Sequence, residues 1–315
     1  MILYSDNVLN HRPHTYHIEN PKRVEIILET LKEHGYDEIF YVDEKVSLRE
    51  VLTIHDEEYI NKLLSLKEFT FLDPDTYFSE GTLEAALTSL KMSEIAFKLS
   101  LKEKDLSFAL TRPPGHHSGR KGWAGPTLGF CIFNNIAYAV KLAKDYFEKV
   151  IIIDFDAHHG NGTEDIFKED DDIIIIDFHQ KGIYPFTGNE SYRTKINLPF
   201  ISAKDDDYIY TYYEIVEPIL EYYKPKIIFV SAGFDGYQGD LTDLKLKDFF
   251  QFIGYKLSDY PVCAVLEGGY FCGIKQGPIK FLNGYYHDFK ERDINPSTYT
   301  KEMVNRVKSD ILWLE

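Results

Sequence analysis

Continuous apolar runs at residues 108–110, 150–153, 173–176, 227–230 and 262–266 punctuate the chain. Runs that are apolar throughout, rather than alternating, predict strands covered on both faces. Between them apolar positions recur at helical spacing over 82–101, 134–148, 208–223 and 245–257, with a last helix over 301–312. The clearest helix comes earlier: Asn20 as N-cap, Pro21 in the first turn, Val24, Ile27, Leu28 and Leu31 on one face, and Gly35 as the stop. Strands alternating with helices predict right-handed crossovers and an α/β fold, three layers α/β/α around a mostly parallel sheet. No linker or internal repeat divides the sequence, so residues 1–315 are expected to form a single domain.

Ligands of such sheets bind outside the carboxyl ends of the strands. Here those ends are rich in chemistry: Thr111-Arg112-Pro113-Pro114-Gly115-His116-His117, Asp154-Phe155-Asp156-Ala157-His158-His159-Gly160-Asn161-Gly162, Asp177-Phe178-His179, Ser231-Ala232-Gly233-Phe234-Asp235-Gly236 and Glu267-Gly268-Gly269-Tyr270.

Composition narrows what that chemistry serves. Lys and Arg number 35 against 51 Asp and Glu, a net charge of −16 that disfavours nucleic acid and favours a cationic substrate, although ordinary solvation also accounts for it. The apolar runs are far shorter than the roughly 18 residues of a membrane span. The start, Met1-Ile2-Leu3-Tyr4-Ser5-Asp6, lacks the features of a secretory signal, so a cytoplasmic protein is expected. Three cysteines, none in a C-x-x-C pair, leave any metal to His and carboxylate.

Asp156 and His158, two apart at a strand end, project to one side and can grip one ion. By itself such a pair reads more readily as carboxylates capping a turn and a packed histidine; His116, His117, Asp235 and Tyr270 at neighbouring strand ends reverse that balance. Asp235 is the best candidate for a third ligand. Two carboxylates and an imidazole suit Zn²⁺ with an open position for water, and Fe²⁺, Mn²⁺ or Co²⁺ are also compatible.

In this order R-P-P-G-H-H, G-F-C, D-x-D-x-H-H-G-N-G, G-F-D and E-G-G-Y closely resemble the motifs of the histone deacetylase superfamily, which includes acetylpolyamine amidohydrolases. The resemblance runs from His17-Ile18-Glu19-Asn20-Pro21-Lys22-Arg23 to Tyr270. It implies one domain around an eight-stranded sheet shared with arginases. It also implies Asp156, His158 and Asp235 as zinc ligands, His116 and His117 as the tandem histidines, and Tyr270 facing the substrate carbonyl. Asp154 matches the carboxylate behind the first histidine, and Asn161 stands where many members place an aspartate behind the second. A neutral amide stabilises an imidazolium less than a carboxylate does, so His117 should titrate lower. Gly129, Phe130 and Cys131 match the channel segment, with Phe130 and Tyr184 as walls for an acyl-lysine stem, although Tyr184 reads equally as core packing. Arg23 matches an arginine lining an acetate-release cavity, with an ordinary helix-surface arginine as the alternative. Asp154 and Asp156, with backbone of His158, Asp177 and Phe178, match a secondary K⁺ site.

The implied reaction is hydrolysis of an N-acetylated protein lysine or small amine, with His117 as general acid/base and Tyr270 stabilising the oxyanion. An arginase-like binuclear ureohydrolase would need further carboxylates where this chain has Gly160 and Tyr237. A non-catalytic acyl-lysine-binding scaffold would be expected to have lost a ligand or the tyrosine. Asp73-Pro74-Asp75-Thr76 reads as a capped turn, or as a source of a rim carboxylate. Oligomeric state is not legible.

Overall fold

The computed structural model describes residues 1–311. Eight strands form the central sheet: β1 (Ile2–Tyr4), β2 (Ile39–Tyr41), β3 (Leu106–Ala109), β4 (Val150–Asp154), β5 (Ile173–Gln180), β6 (Lys195–Phe200), β7 (Ile228–Ala232) and β8 (Val262–Leu266). Their order is β6-β5-β4-β7-β8-β3-β1-β2, and every pairing is parallel. The apolar runs thus became strands, and "mostly parallel" sharpens to wholly parallel. Every residue of β3, β4, β7 and β8 is buried, so helices cover both faces of the sheet centre. Thr82–Glu103 packs with Asn135–Ala143 as one group, and Lys22–Glu33, Cys272–Tyr286 and Phe249–Leu257 pack as another.

The helix expected after Asn20 spans Lys22–Glu33, with the Asn20 side chain accepting from Lys22 N at 3.0 Å. Residues 208–223 lie in one helical run from Asp205 to Tyr223, interrupted by a wider π-turn at Tyr212–Val216 just before Pro218, which has no N–H to donate. The helix expected over 245–257 starts only at Phe249, because Lys245 N and Leu246 N are drawn off to Ala203 O and Gly236 O. The last helix is Thr298–Asp310; Leu312 lies outside the described residues. Among the described residues no helix is long and apolar enough to cross a membrane.

Sequence patterning missed β1, β2, β6, the short helices Leu48–Val51, Glu57–Ser65 and Asn161–Ile166, and the longer helix Cys272–Tyr286. The first two are three-residue strands. In β6 the pattern is broken by Lys195, Asn197 and Pro199, yet Lys195 is buried with Nζ bonded to Ile173 O at 2.8 Å and Asp170 O at 3.0 Å. Cys272–Tyr286 contains three glycines and Pro278, a poor helical composition, and forms because it packs on Phe249–Leu257 and Lys22–Glu33.

Candidate active site

Adjacent strands deliver the candidate metal ligands. Asp156 and His158 lie in the turn that leaves β4, and Asp235 lies just past β7, its neighbour. One ligand atom from each falls within 4.8 Å of the other two, and among the described residues no other trio of His, Cys, Asp or Glu does so. Backbone donors aim the carboxylates: Gly268 N to Asp156 Oδ2 at 2.7 Å, His158 N to Asp156 Oδ1 at 2.9 Å and Ala157 N to Asp235 Oδ1 at 2.8 Å. Asp235 Oδ2 is buried and has no hydrogen-bond partner, although His158 Nδ1 is 2.7 Å away. A buried carboxylate oxygen this close to an imidazole nitrogen, beside a second carboxylate, is a donor set that could hold a cation. Burial, then the adjacent Asp156 carboxylate, push Asp235 up to about 6, a cost that a divalent ion between them removes. The donor set therefore fits a divalent metal.

A second metal does not fit as readily. A Cβ at position 160 would stand 2.6 Å from Asp154 Oδ2, leaving no room for the carboxylate a binuclear site requires there, and Tyr237 is buried against Phe250.

The tandem histidines come from the loop after β3. Their rings are 4.0 Å apart, but their partners differ in charge. His116 Nδ1 lies 3.0 Å from Asp154 Oδ2, whereas His117 Nδ1 lies 2.7 Å from Asn161 Oδ1. Burial opposes a charge on His116, yet Asp154, Asp156 and Glu267 together raise it well above the usual imidazole range. Burial, then the charges of His116 and His158, hold His117 well below that range. The carboxylate and the amide thus bias the two neighbouring imidazoles in opposite directions.

Tyr184 is not ordinary core. Its ring stands edge-on to His117 at 4.9 Å and its hydroxyl donates to Thr127 O at 2.9 Å. Phe130 meets Tyr270 edge-on at 5.6 Å. Gly129, immediately before Phe130, has φ +52°, and a Cβ there would come within 2.4 Å of the His117 ring and 2.8 Å of Tyr184. The Tyr270 hydroxyl has no hydrogen-bond partner among the described residues, which leaves it available to a ligand. Burial raises it well above the usual phenol range.

Arg23 is fully buried, not a surface residue. It donates to Gly269 O at 2.7 Å, to Glu19 Oε1 at 3.2 Å and to Glu267 O, and its guanidinium lies 4.5 Å from the Tyr270 ring centroid. Asp73 supplies no free rim carboxylate: Thr76 N at 2.9 Å, Leu128 N at 2.8 Å and Trp123 Nε1 at 2.9 Å all donate to it, so it stitches the turn to the loop carrying Gly129. At the matched K⁺ position Asp154 accepts from Asp156 N at 3.1 Å, and Asp177 lies between Gly160 N at 2.8 Å and His179 Nδ1 at 2.6 Å.

Sequence reasoning gave no role to Glu267, which accepts from Gly115 N at 2.8 Å and His116 N at 3.2 Å, or to the buried Glu19–Arg112 pair at 2.6 Å. The signal available was a charged residue inside an otherwise apolar or glycine-rich strand exit.

The family model described as the histone deacetylase domain matches residues 17–277. The chain is 51% identical to an uncharacterized protein of Methanocaldococcus jannaschii, over 98% of this chain and 93% of that one. It is 35% identical to a probable deacetylase of Archaeoglobus fulgidus, over 90% of this chain and 83% of that one. The crystal structure of the HDA15 HD domain superposes with a TM-score of 0.88 at 25% identity, covering 99% of this chain and 96% of that one.

Proposed function

The chain belongs to the histone deacetylase family, and on that premise we propose that residues 1–315 act as one catalytic domain, a metal-dependent amidohydrolase. Its substrate is an N-acetylated amine, either acetyl-lysine in a protein or an acetylated polyamine, and its products are acetate and the free amine. The observation that carries this reading is the convergence of Asp156, His158 and Asp235 within 4.8 Å, beside a histidine pair whose two rings have partners of different charge.

Asp156, His158 and Asp235 are the residues that would hold the divalent ion, Zn²⁺ by preference with Fe²⁺, Mn²⁺ and Co²⁺ compatible. When bound, it supplies Lewis acidity to the acyl carbonyl and makes water a nucleophile near neutral pH. K⁺ is assigned to the secondary position formed by Asp154 and Asp156 with backbone groups of His158, Asp177 and Phe178.

His117 moves the proton. Asn161 Oδ1 fixes the hydrogen on Nδ1, which leaves Nε2 to take a proton from the attacking water and return it to the departing amine. His116, paired with Asp154, supplies a fixed positive charge beside that exchange. The Tyr270 hydroxyl donates to the oxyanion as it forms. Phe130 and Tyr184 flank the acyl stem as apolar walls, with Gly129 keeping the space between them clear.

The test is a side-by-side rate comparison of acetyl-lysine peptides and acetylated polyamines with the metal-loaded protein and its Tyr270→Phe variant. Turnover of one class is expected, with kcat reduced about 10²- to 10³-fold in the variant and KM nearly unchanged. No turnover of either class by protein shown to carry its metal would reject the reading.

A further inference from the structure

We infer that Asp240 is a positioning residue that sets where the Tyr270 hydroxyl stands. Its carboxylate accepts from three backbone N–H groups of a single turn: Tyr270 N at 3.0 Å, Phe271 N at 2.7 Å and Gly273 N at 2.7 Å. That turn carries the chain off β8 and opens the helix Cys272–Tyr286. The first N–H groups of a helix have no carbonyl partner within it, and among the described residues these three amides are satisfied by Asp240.

Arg23 grips the same turn from its other side, through Gly269 O at 2.7 Å and the face of the Tyr270 ring. An anion thus fixes the amides and a cation fixes the preceding carbonyl. The hydroxyl itself is bonded to no protein group among the described residues. Its position therefore depends on the backbone that Asp240 holds and on packing against Phe130 and Arg23.

Asp240 also belongs to the loop of Asp235. Its own N–H donates to Tyr237 O at 2.9 Å, and Thr242 Oγ1 donates to Asp235 O at 3.2 Å. The loop that presents one candidate metal ligand is therefore the loop that aims the candidate oxyanion donor, which fixes the distance between the two groups that would share the charge. Asp240 touches neither substrate nor reacting atoms in this scheme; it acts through Tyr270, and the inference rests on the role proposed for that tyrosine.

The experiment is a double-mutant cycle on the metal-loaded protein, with kcat, KM, metal content and amide exchange across residues 268–274 measured for wild type, Asp240→Ala, Tyr270→Phe and the double variant. Asp240→Ala is expected to lower kcat about 10²-fold at nearly constant KM. It should retain the metal and accelerate exchange in that segment alone. In the Tyr270→Phe background the same substitution should change kcat by no more than about twofold, because what it positions is already gone. Effects that multiply, or loss of metal in step with loss of rate, overturn the inference. Full kcat in Asp240→Ala with a slow Tyr270→Phe rejects Asp240 alone, whereas an unimpaired Tyr270→Phe rejects the tyrosine's role and this inference with it. If Asp240→Ala does not fold, Asp240→Asn, which keeps one acceptor oxygen, is carried through the same cycle.

Discussion

His117 Nδ1 rests 2.7 Å from the amide oxygen of Asn161, while its neighbour His116 rests 3.0 Å from a carboxylate oxygen of Asp154. Restoring an acid at position 161 should erase this asymmetry. In Asn161→Asp the new anion favours the imidazolium and raises the His117 pKa. A general base must be neutral to act, so the acid limb of kcat/KM against pH moves to higher pH. A limb that stays in place, in a variant that still binds metal, would mean that another group titrates there.

The ligand set predicts about one tightly bound divalent ion per chain. Asp235→Ala should lose both the ion and hydrolysis, and hydroxamates, which chelate through two oxygens, should inhibit the wild type. Elemental analysis after dialysis, with rates on the same samples, checks this. Two ions per chain, both needed for activity, would revive a ureohydrolase-like centre.

Gly129→Ala tests the crowding at the channel. The added methyl would stand 2.4 Å from the His117 ring. A left-handed backbone there costs an alanine about 1–2 kcal/mol. The expected outcome is a modest fall in melting temperature, unchanged metal content and a loss of kcat of about 10- to 10²-fold from the displaced histidine. Unimpaired kcat would show that the loop yields without disturbing His117.

His55 predicts an acid-sensitive fold. It is buried, with Nδ1 2.8 Å from Gly119 O and Nε2 accepting from Asn134 N at 3.0 Å, so its backbone partners require the neutral ring. Burial pushes it down from 6.5 to about 4. The unfolded chain therefore takes up this proton first as pH falls, and stability drops from about pH 6.5 to about pH 4, by on the order of 3 kcal/mol. Urea unfolding of wild type and His55→Gln at pH 7 and at pH 4.5 checks the sign: the variant should lose less. Equal losses would place the acid sensitivity elsewhere, for instance at buried His11, which burial also lowers to about 4.

The buried strands were legible in the sequence because their apolar runs report the local environment on both faces. The strand-end motifs were legible because a parallel sheet must bring its carboxyl ends to one edge, wherever they fall in the sequence; Asp156, His158 and Asp235 needed no more than that to be placed near one another. Patterning failed where long-range contacts outweighed local preference: at β6, where Lys195 is buried on carbonyls of the neighbouring segment, and at Cys272–Tyr286, where packing overrides three glycines and a proline. The Asx turn at Asp73 was readable from its spacing, but the bonds that commit its second oxygen come from Trp123 and Leu128, in a different segment. The sequence by itself determined the buried centre of the sheet and which side chains its carboxyl edge would carry. Only the tertiary structure decided how those side chains are held, through Glu267 on the His116 loop, Arg23 beneath Tyr270 and Asp240 on its amides, because each partner is set by a backbone group remote in sequence that leaves no mark on local pattern.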